Sequence, residues 1–204
     1  MQSRSYTGPL IVVAVVVILA FVVGGIYNGL VSSSQAVDAQ WGQVQTAYQR
    51  RADLIPNLVA TVQGAANFEK STYVAVTQAR ARVGQISPQA VQNAVNDPAT
   101  FQKYAAMQDQ LGSALSRLLV TVENYPQLKA TENFATLQAQ VEGAENRVAF
   151  ERKKYNDAAQ AFNTRRDSIP AVLFAGMFGS RFNEKPYFAA AAGSDKAPVV
   201  NFSP

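Results

Sequence analysis

Residues 141–170 read VEGAENRVAFERKKYNDAAQAFNTRRDSIP, and along them Val141, Val148, Tyr155, Phe162 and Ile169 stand seven apart. Leu137, Ala144 and Ala158 fall at the companion position. Apolar side chains at that interval line one face of an α-helix, so the stretch predicts a long amphipathic helix whose stripe other helices must cover. Upstream, Phe101, Tyr104, Gln108, Leu111, Leu115, Leu118, Val122 and Tyr125 follow steps of three and four, with one polar member. A further stripe runs through Val37, Trp41, Val44 and Tyr48, slips near Ala52, and resumes at Ile55, Val59, Val62, Ala66, Tyr73, Val76 and Val83. Strand-like alternation is nowhere sustained. The expected fold is all-α, with long helices packed antiparallel in a bundle.

The helix ends agree. Asp97-Pro98 offers an N-cap and a first-turn proline for the second stripe, and Tyr125-Pro126 stops it. Residues 84–96 form a long connection and residues 126–131 a short one, so the second and third stripes are expected to run antiparallel as neighbours.

From Leu10 to Ile26 the chain reads LIVVAVVVILAFVVGGI, and no charge falls between Arg4 and Asp38. Extended to Val31 the run would be roughly 33 Å long as a helix, enough for a hydrocarbon core of about 30 Å. Tyr6 and Tyr27 flank it as interfacial anchors. Val37-Asp38-Ala39 resembles a cleavage site but stands too far from the apolar run for a signal peptide, so a retained anchor is expected. The expected division is an N-terminal tail (1–9), a single-pass transmembrane anchor (10–31) in contact with membrane lipids, a helical bundle (32–182) and a C-terminal tail (183–204). Arg4 beside the N-terminus places that end in the cytoplasm and the bundle on the periplasmic or extracytoplasmic side.

Composition excludes much chemistry. The 204 residues contain no Cys and no His, which removes zinc sites built on them, Ser-His-Asp and Cys-His nucleophiles, and Glu-x-x-His di-iron pairs. A net charge of +4, scattered along the chain, gives no concentrated basic face for nucleic acid. Glu142 and Glu145 share a helix face and could hold a hard cation, but the nearby Arg147 and Lys153 fit an ordinary charged stripe. No catalytic residue, metal or cofactor is expected, and the chain reads as a non-enzyme.

Two segments share one pattern. Arg50-Arg51-Ala52-Asp53-Leu54-Ile55-Pro56 and Arg165-Arg166-Asp167-Ser168-Ile169-Pro170 each place an arginine pair and an aspartate ahead of Ile-Pro. Proline deletes an intrahelical hydrogen bond, whereas in a first turn it costs little. Both copies therefore predict a helix break or kink, with Asp53 and Asp167 capping the restart and the arginines at the negative end of the closing helix. Asp53 and Asp167 are the expected partners of the arginines. After the second copy, Phe174, Met177, Phe178, Phe182, Tyr187 and Phe188 crowd a short stretch that either closes the end of the bundle or docks a partner. Val200 and Phe202 could pair with a further partner.

These segments carry a resemblance. Tyr27-Asn28-Gly29-Leu30-Val31, Ala39-Gln40-Trp41 and the run from Arg50 to Val59 resemble LemA family membrane proteins. The likeness continues through Tyr125-Pro126, Glu142-Gly143, Glu145-Asn146, Tyr155-Asn156 and residues 198–202. It implies a bacterial cell membrane protein with a four-helix-type bundle and no established catalytic residues, some relatives being associated with shaping intracellular membranes. The tail at 189–197 is less acidic than the resemblance leads one to expect. Two functions follow as expectations: a self-associating scaffold, homo-oligomeric at the membrane, or an adaptor recruiting an envelope protease, phosphatase or stress-response protein through its C-terminal tail.

Overall fold

A computed structural model describes residues 7–189. The apolar run and the first amphipathic stripe form one uninterrupted helix, α1 (Thr7–Gln63). The chain turns and returns as α2 (Lys70–Val83), then passes through α3 (Pro88–Asn93) and a 3-10 turn (Ala94–Asn96). It runs out again as α4 (Pro98–Val122), turns through α5 (Pro126–Lys129) and comes back as α6 (Glu132–Asp167). The short α7 (Val172–Ala175) and two 3-10 turns precede a final irregular segment, and no strand occurs among the described residues. The fold is an all-α helical bundle.

Its topology is up-down-up-down. Gly29 meets Arg165 and Arg51 meets Glu145, so α6 is antiparallel to α1. Phe101 stacks with Tyr155 while Asp109 pairs with Arg152, so α4 and α6 are also antiparallel. Asp97 caps α4, its Oδ1 accepting from Ala99 N at 3.1 Å, and Thr131 Oγ1 caps α6 by accepting from Phe134 N at 3.3 Å. Each helix buries the stripe read from its spacing: Phe101, Leu111, Leu115 and Leu118 on α4, and Val141, Val148, Tyr155 and Phe162 on α6, are at most 4 % exposed.

The first Ile-Pro is not a break. Pro56 lies inside α1, and Leu58 and Val62 beyond it are fully buried. The stripe therefore continues through the proline, and its burial outweighs a cost of about 3 kcal/mol. Pro56 cannot donate to the Ala52 carbonyl four residues back. Arg80 of α2 supplies that hydrogen bond instead, from Nε at 3.3 Å. The actual turn comes at residues 64–69. At the second copy α6 does end, at Asp167, because Ile169 projects outward, 85 % exposed, with no core to reach.

Neither aspartate caps a restart. Asp53 accepts from Gln49 Nε2 at 2.6 Å one turn earlier, Asp167 pairs with Arg166, and no side chain caps α7. Arg165 and Arg166 occupy the last turn of α6, whereas Arg50 and Arg51 sit in mid-helix.

The limits of the bundle also differ from the expected ones. Large apolar side chains of α1 from Leu10 to Val22 are exposed, but Leu30 is fully buried and Ile26 packs against the same core. Bundle packing thus begins inside the run assigned to the anchor. At the other end Lys185 and Phe188, assigned to the tail, are buried in the bundle. Val200 and Phe202 lie outside the described residues.

Candidate functional site

The core divides into two apolar clusters. The one nearer the apolar end of α1 contains Trp41, Tyr48, Phe101, Tyr104, Tyr155, Phe162 and Phe188. The far one contains Ile55, Leu58, Leu111, Leu115, Leu118 and Val141. Between them lies a charge. Val37, Val44, Arg51 and Leu58 are seven apart, so Arg51 holds a core position of α1, and it is 2 % exposed. Its Nη1 donates to both carboxylate oxygens of Glu145 at 3.0 Å. Its Nη2 donates to the Gln108 carbonyl at 3.0 Å and to the Gln108 side-chain oxygen. The guanidinium also lies 5.4 Å from the Tyr48 ring centroid.

Gly112 makes room for this group. A Cβ there would stand 3.3 Å from Arg51 Nη1, tighter than an ordinary contact. Outside the layer, Arg152 Nε donates to the Tyr48 hydroxyl at 2.7 Å and its guanidinium pairs with Asp109 at 2.6 Å. Gln108 was the single polar member of the α4 stripe, and the slip near Ala52 is where Arg51 takes the seam. The sequence signal for the layer was the spacing of Arg51 from Val44 and Leu58. What it cannot reveal is that Glu145, rather than Asp53 or Asp167, provides the countercharge.

The final segment forms a second constellation. Asn163 donates from Nδ2 to the Lys185 carbonyl at 2.9 Å and accepts from Lys185 N at 2.8 Å. Asn156 treats Phe188 in the same way, both bonds being 2.9 Å. Seven residues of helix cover about 10 Å, a distance three residues reach only when extended. The two asparagines therefore hold residues 185–188 stretched along α6, running back from its C-terminal end. Arg166 Nε adds a bond to the Phe182 carbonyl at 2.8 Å. Phe188 inserts among Trp41, Phe101 and Tyr155, with Arg152 4.8 Å above its ring. Lys185 donates from Nζ to Asn96 Oδ1 at 2.5 Å and to the Arg181 carbonyl at 2.8 Å. Burial holds its ammonium below the ordinary range, while Asp38 pulls the other way.

The aromatic residues read as one cluster thus separate. Phe182 and Phe188 are core; Phe174 and Phe178 are half-buried; Tyr187 is exposed at its ring but accepts from Asn163 Nδ2 at 2.9 Å. Tyr27, read as an interfacial anchor, meets Phe178 and Phe182 edge-on at 5.2 and 5.7 Å. Arg50 is exposed, whereas Arg165 donates from Nη1 to the Gly29 carbonyl at 2.9 Å, tying the end of α6 to α1. Glu142 and Glu145, weighed as a cation site, and the neighbouring Glu151 are engaged separately. Glu142 accepts from Gln138 at 2.9 Å, Glu145 from Arg51, and Glu151 from Gln40 at 2.6 Å. Among the described residues no group of three or more metal-ligating side chains gathers.

Three buried phenols make the core sensitive to alkali. Burial pushes Tyr48 and Tyr155 well above their ordinary value of 10.0, and Tyr104 upward as well; Arg152 and Arg51 oppose this at Tyr48. Unfolded phenols ionise near pH 10 while these stay protonated in the fold, so stability is untouched below that value and falls as pH climbs past it. In an alkaline titration followed by tyrosinate absorbance, three of the eight tyrosines should ionise only together with loss of helical signal.

A family model described as the LemA family matches residues 40–202, which take in the Arg51 layer and both asparagine clamps. The chain belongs to the LemA family. The magnetosome protein MamQ 2 of Paramagnetospirillum magneticum is 25% identical over 204 residues, covering 90% of this chain and 75% of that protein. MamQ of Magnetospirillum gryphiswaldense is 23% identical over 178 residues, covering 78% of this chain and 65% of its own length. Protein LemA of Metamycoplasma hominis is 24% identical over 148 residues, covering 72% of this chain and 63% of its own. Membership of the LemA family, with the apolar run of α1, supports a membrane-associated helical protein. Arg51, Glu145 and Asn156, which belong to the motifs of the LemA resemblance, are among the residues that join helices and tail.

Proposed function

We propose that this LemA-family chain is a non-catalytic scaffold, anchored by one span with its bundle on the extracytoplasmic side, which self-associates through the outer face of α2 and α4. The observation that supports the reading is a groove of about 1100 Å³ along that face. Its lining includes several small side chains, among them Ala75, Ala79, Ala106, Ser113 and Ser116, which let another helix approach closely. Each end carries both signs: Glu69 with Arg117 at one, Asp109 with Arg82 at the other. Copies anchored in one membrane are related by an axis along its normal, so each end of the groove would face the same end of a second copy. An acid and a base at each height are then self-complementary. The adaptor alternative rests on residues 198–204, which lie outside the described residues.

The chain has no cysteine, so a Ser113→Cys variant reports this face alone. Oxidation in native membranes should give a cross-linked dimer, and Lys153→Cys, on the exposed side of α6, should not. An assembly without the Ser113 cross-link would place the contact on another face. A strictly monomeric protein after gentle solubilisation would overturn the scaffold reading.

A further inference from the structure

The segment after α6 has two unlike sides. Ala171 and Ala175 are buried and Phe178 is half-buried, and these three face the bundle at helical spacing. Ile169, Leu173 and Met177, four apart, point the other way and are 85, 68 and 79 % exposed. Leu173 and Met177 stand four apart across α7 and the 3-10 turn after it, Val172 adjoins them, and Ile169 is exposed in the turn that precedes α7, so the segment presents one side rich in exposed apolar side chains. Nothing in the protein covers this row among the described residues.

Its height along α1 identifies the covering medium. Ile169, Pro170 and Ala171 lie beside Gly25, Ile26 and Gly29, and Phe178 packs on Tyr27. A hydrocarbon core of about 30 Å takes roughly 20 residues of helix. Counted from Leu10, such a span ends at Gly29. The last turn of the span is then the turn against which this segment is packed. The row therefore sits at the depth where acyl chains meet headgroups, and the exposed Arg165, beside Gly29, provides a cation for lipid phosphates, whereas Arg181 pairs with Asp38 at 3.9 Å.

We propose that residues 169–177 form a second membrane contact, a foot that lays Ile169, Leu173 and Met177 into the headgroup–acyl boundary beside the span. The foot goes beyond scaffolding and rests on the reading that the apolar run of α1 lies in the bilayer. Interfacial helices bury their apolar face about 5–10 Å deep. Docking this row at that depth gives the bundle two points of attachment, which fixes the direction in which the bundle leans on the membrane.

Because the chain lacks cysteine, Leu173→Cys, Val17→Cys and Val120→Cys each accept a single environment-sensitive fluorophore. The full-length protein is reconstituted in phosphatidylcholine–phosphatidylglycerol vesicles whose acyl chains are brominated both close to the headgroup and near the bilayer centre, the depths of Leu173 and Val17 respectively. Quenching of about twofold is expected at both Leu173 and Val17, with no change at Val120, which is exposed on the far part of α4. Quenching at Val17 but not at Leu173 overturns the foot and leaves the anchor standing. Absence of quenching at Val17 overturns the membrane reading of α1 and the foot with it.

Discussion

Replacing Glu145 by alanine is expected to remove about 3 kcal/mol from the unfolding free energy, because it strands the Arg51 guanidinium between two apolar clusters. Arg51 is 2 % exposed, and both oxygens of Glu145 receive its Nη1 at 3.0 Å. Removing one member of a buried pair costs about 3–5 kcal/mol, chiefly through the charge left behind. Glu145 is 34 % exposed, so water can reach the vacated side, which favours the lower end of that range. The paired experiment separates charge from packing. Arg51→Met with Glu145→Leu and Gln108→Leu replaces the layer by apolar volume and should return the midpoint to that of the parent protein or above it. Urea unfolding of the full-length chain in detergent, followed by circular dichroism, measures both. A Glu145→Ala midpoint indistinguishable from the parent would mean that the layer does not hold a charge that needs its partner.

Phe188→Ala should produce a loss of similar size, about 3 kcal/mol, with an optical signature of its own. The ring fills the space between Trp41, Phe101 and Tyr155, and Trp41 is the sole tryptophan of the chain. Truncation admits water beside the indole, so emission should shift to longer wavelength. The loss cannot exceed the docking free energy of residues 183–189, since beyond that point the segment leaves the bundle as a unit. Asn163→Ala tests this limit from a distance. It removes two bonds to the Lys185 main chain, at an expected cost of about 1–3 kcal/mol, and does not touch Trp41. If Asn163→Ala also shifts the Trp41 emission, the segment is released as a whole. An unshifted Trp41 in Phe188→Ala would mean that the indole keeps its dry surroundings without the ring.

The seven-residue interval made α6 readable from sequence because its period is carried by large side chains at Val141, Val148, Tyr155 and Phe162. The same interval failed at Ile169. Periodicity marks a helix face but not where the helices covering that face end, and at Ile169 the bundle has no further layer. The two Ile-Pro segments look alike locally and behave differently for the same reason: beyond Pro56 there is core to reach, and beyond Pro170 there is little. The spacing of Arg51 from Val44 and Leu58 marks a core position, yet the sequence reading set it at the end of a closing helix, and its partner Glu145, 94 residues away, could only be found in three dimensions. The asparagine clamps were hidden likewise. Asn156 and Asn163 stand on the polar margin of the α6 stripe, and their ligands are main-chain groups, which carry no residue signature. In the aromatic stretch, turns of three or four residues are too short to establish a period, so core-facing Phe182 and Phe188 could not be told from outward Met177.

Because α1 passes from its exposed apolar turns into the bundle without a joint, the inclination of one is the inclination of the other. Some 37 residues lie between Ile26 and Gln63, a lever of roughly 55 Å. A lean of about 10°, of the order by which spans accommodate a thinner bilayer, would carry the distal tip sideways by roughly 10 Å. Neighbouring copies held in register would have to lean together.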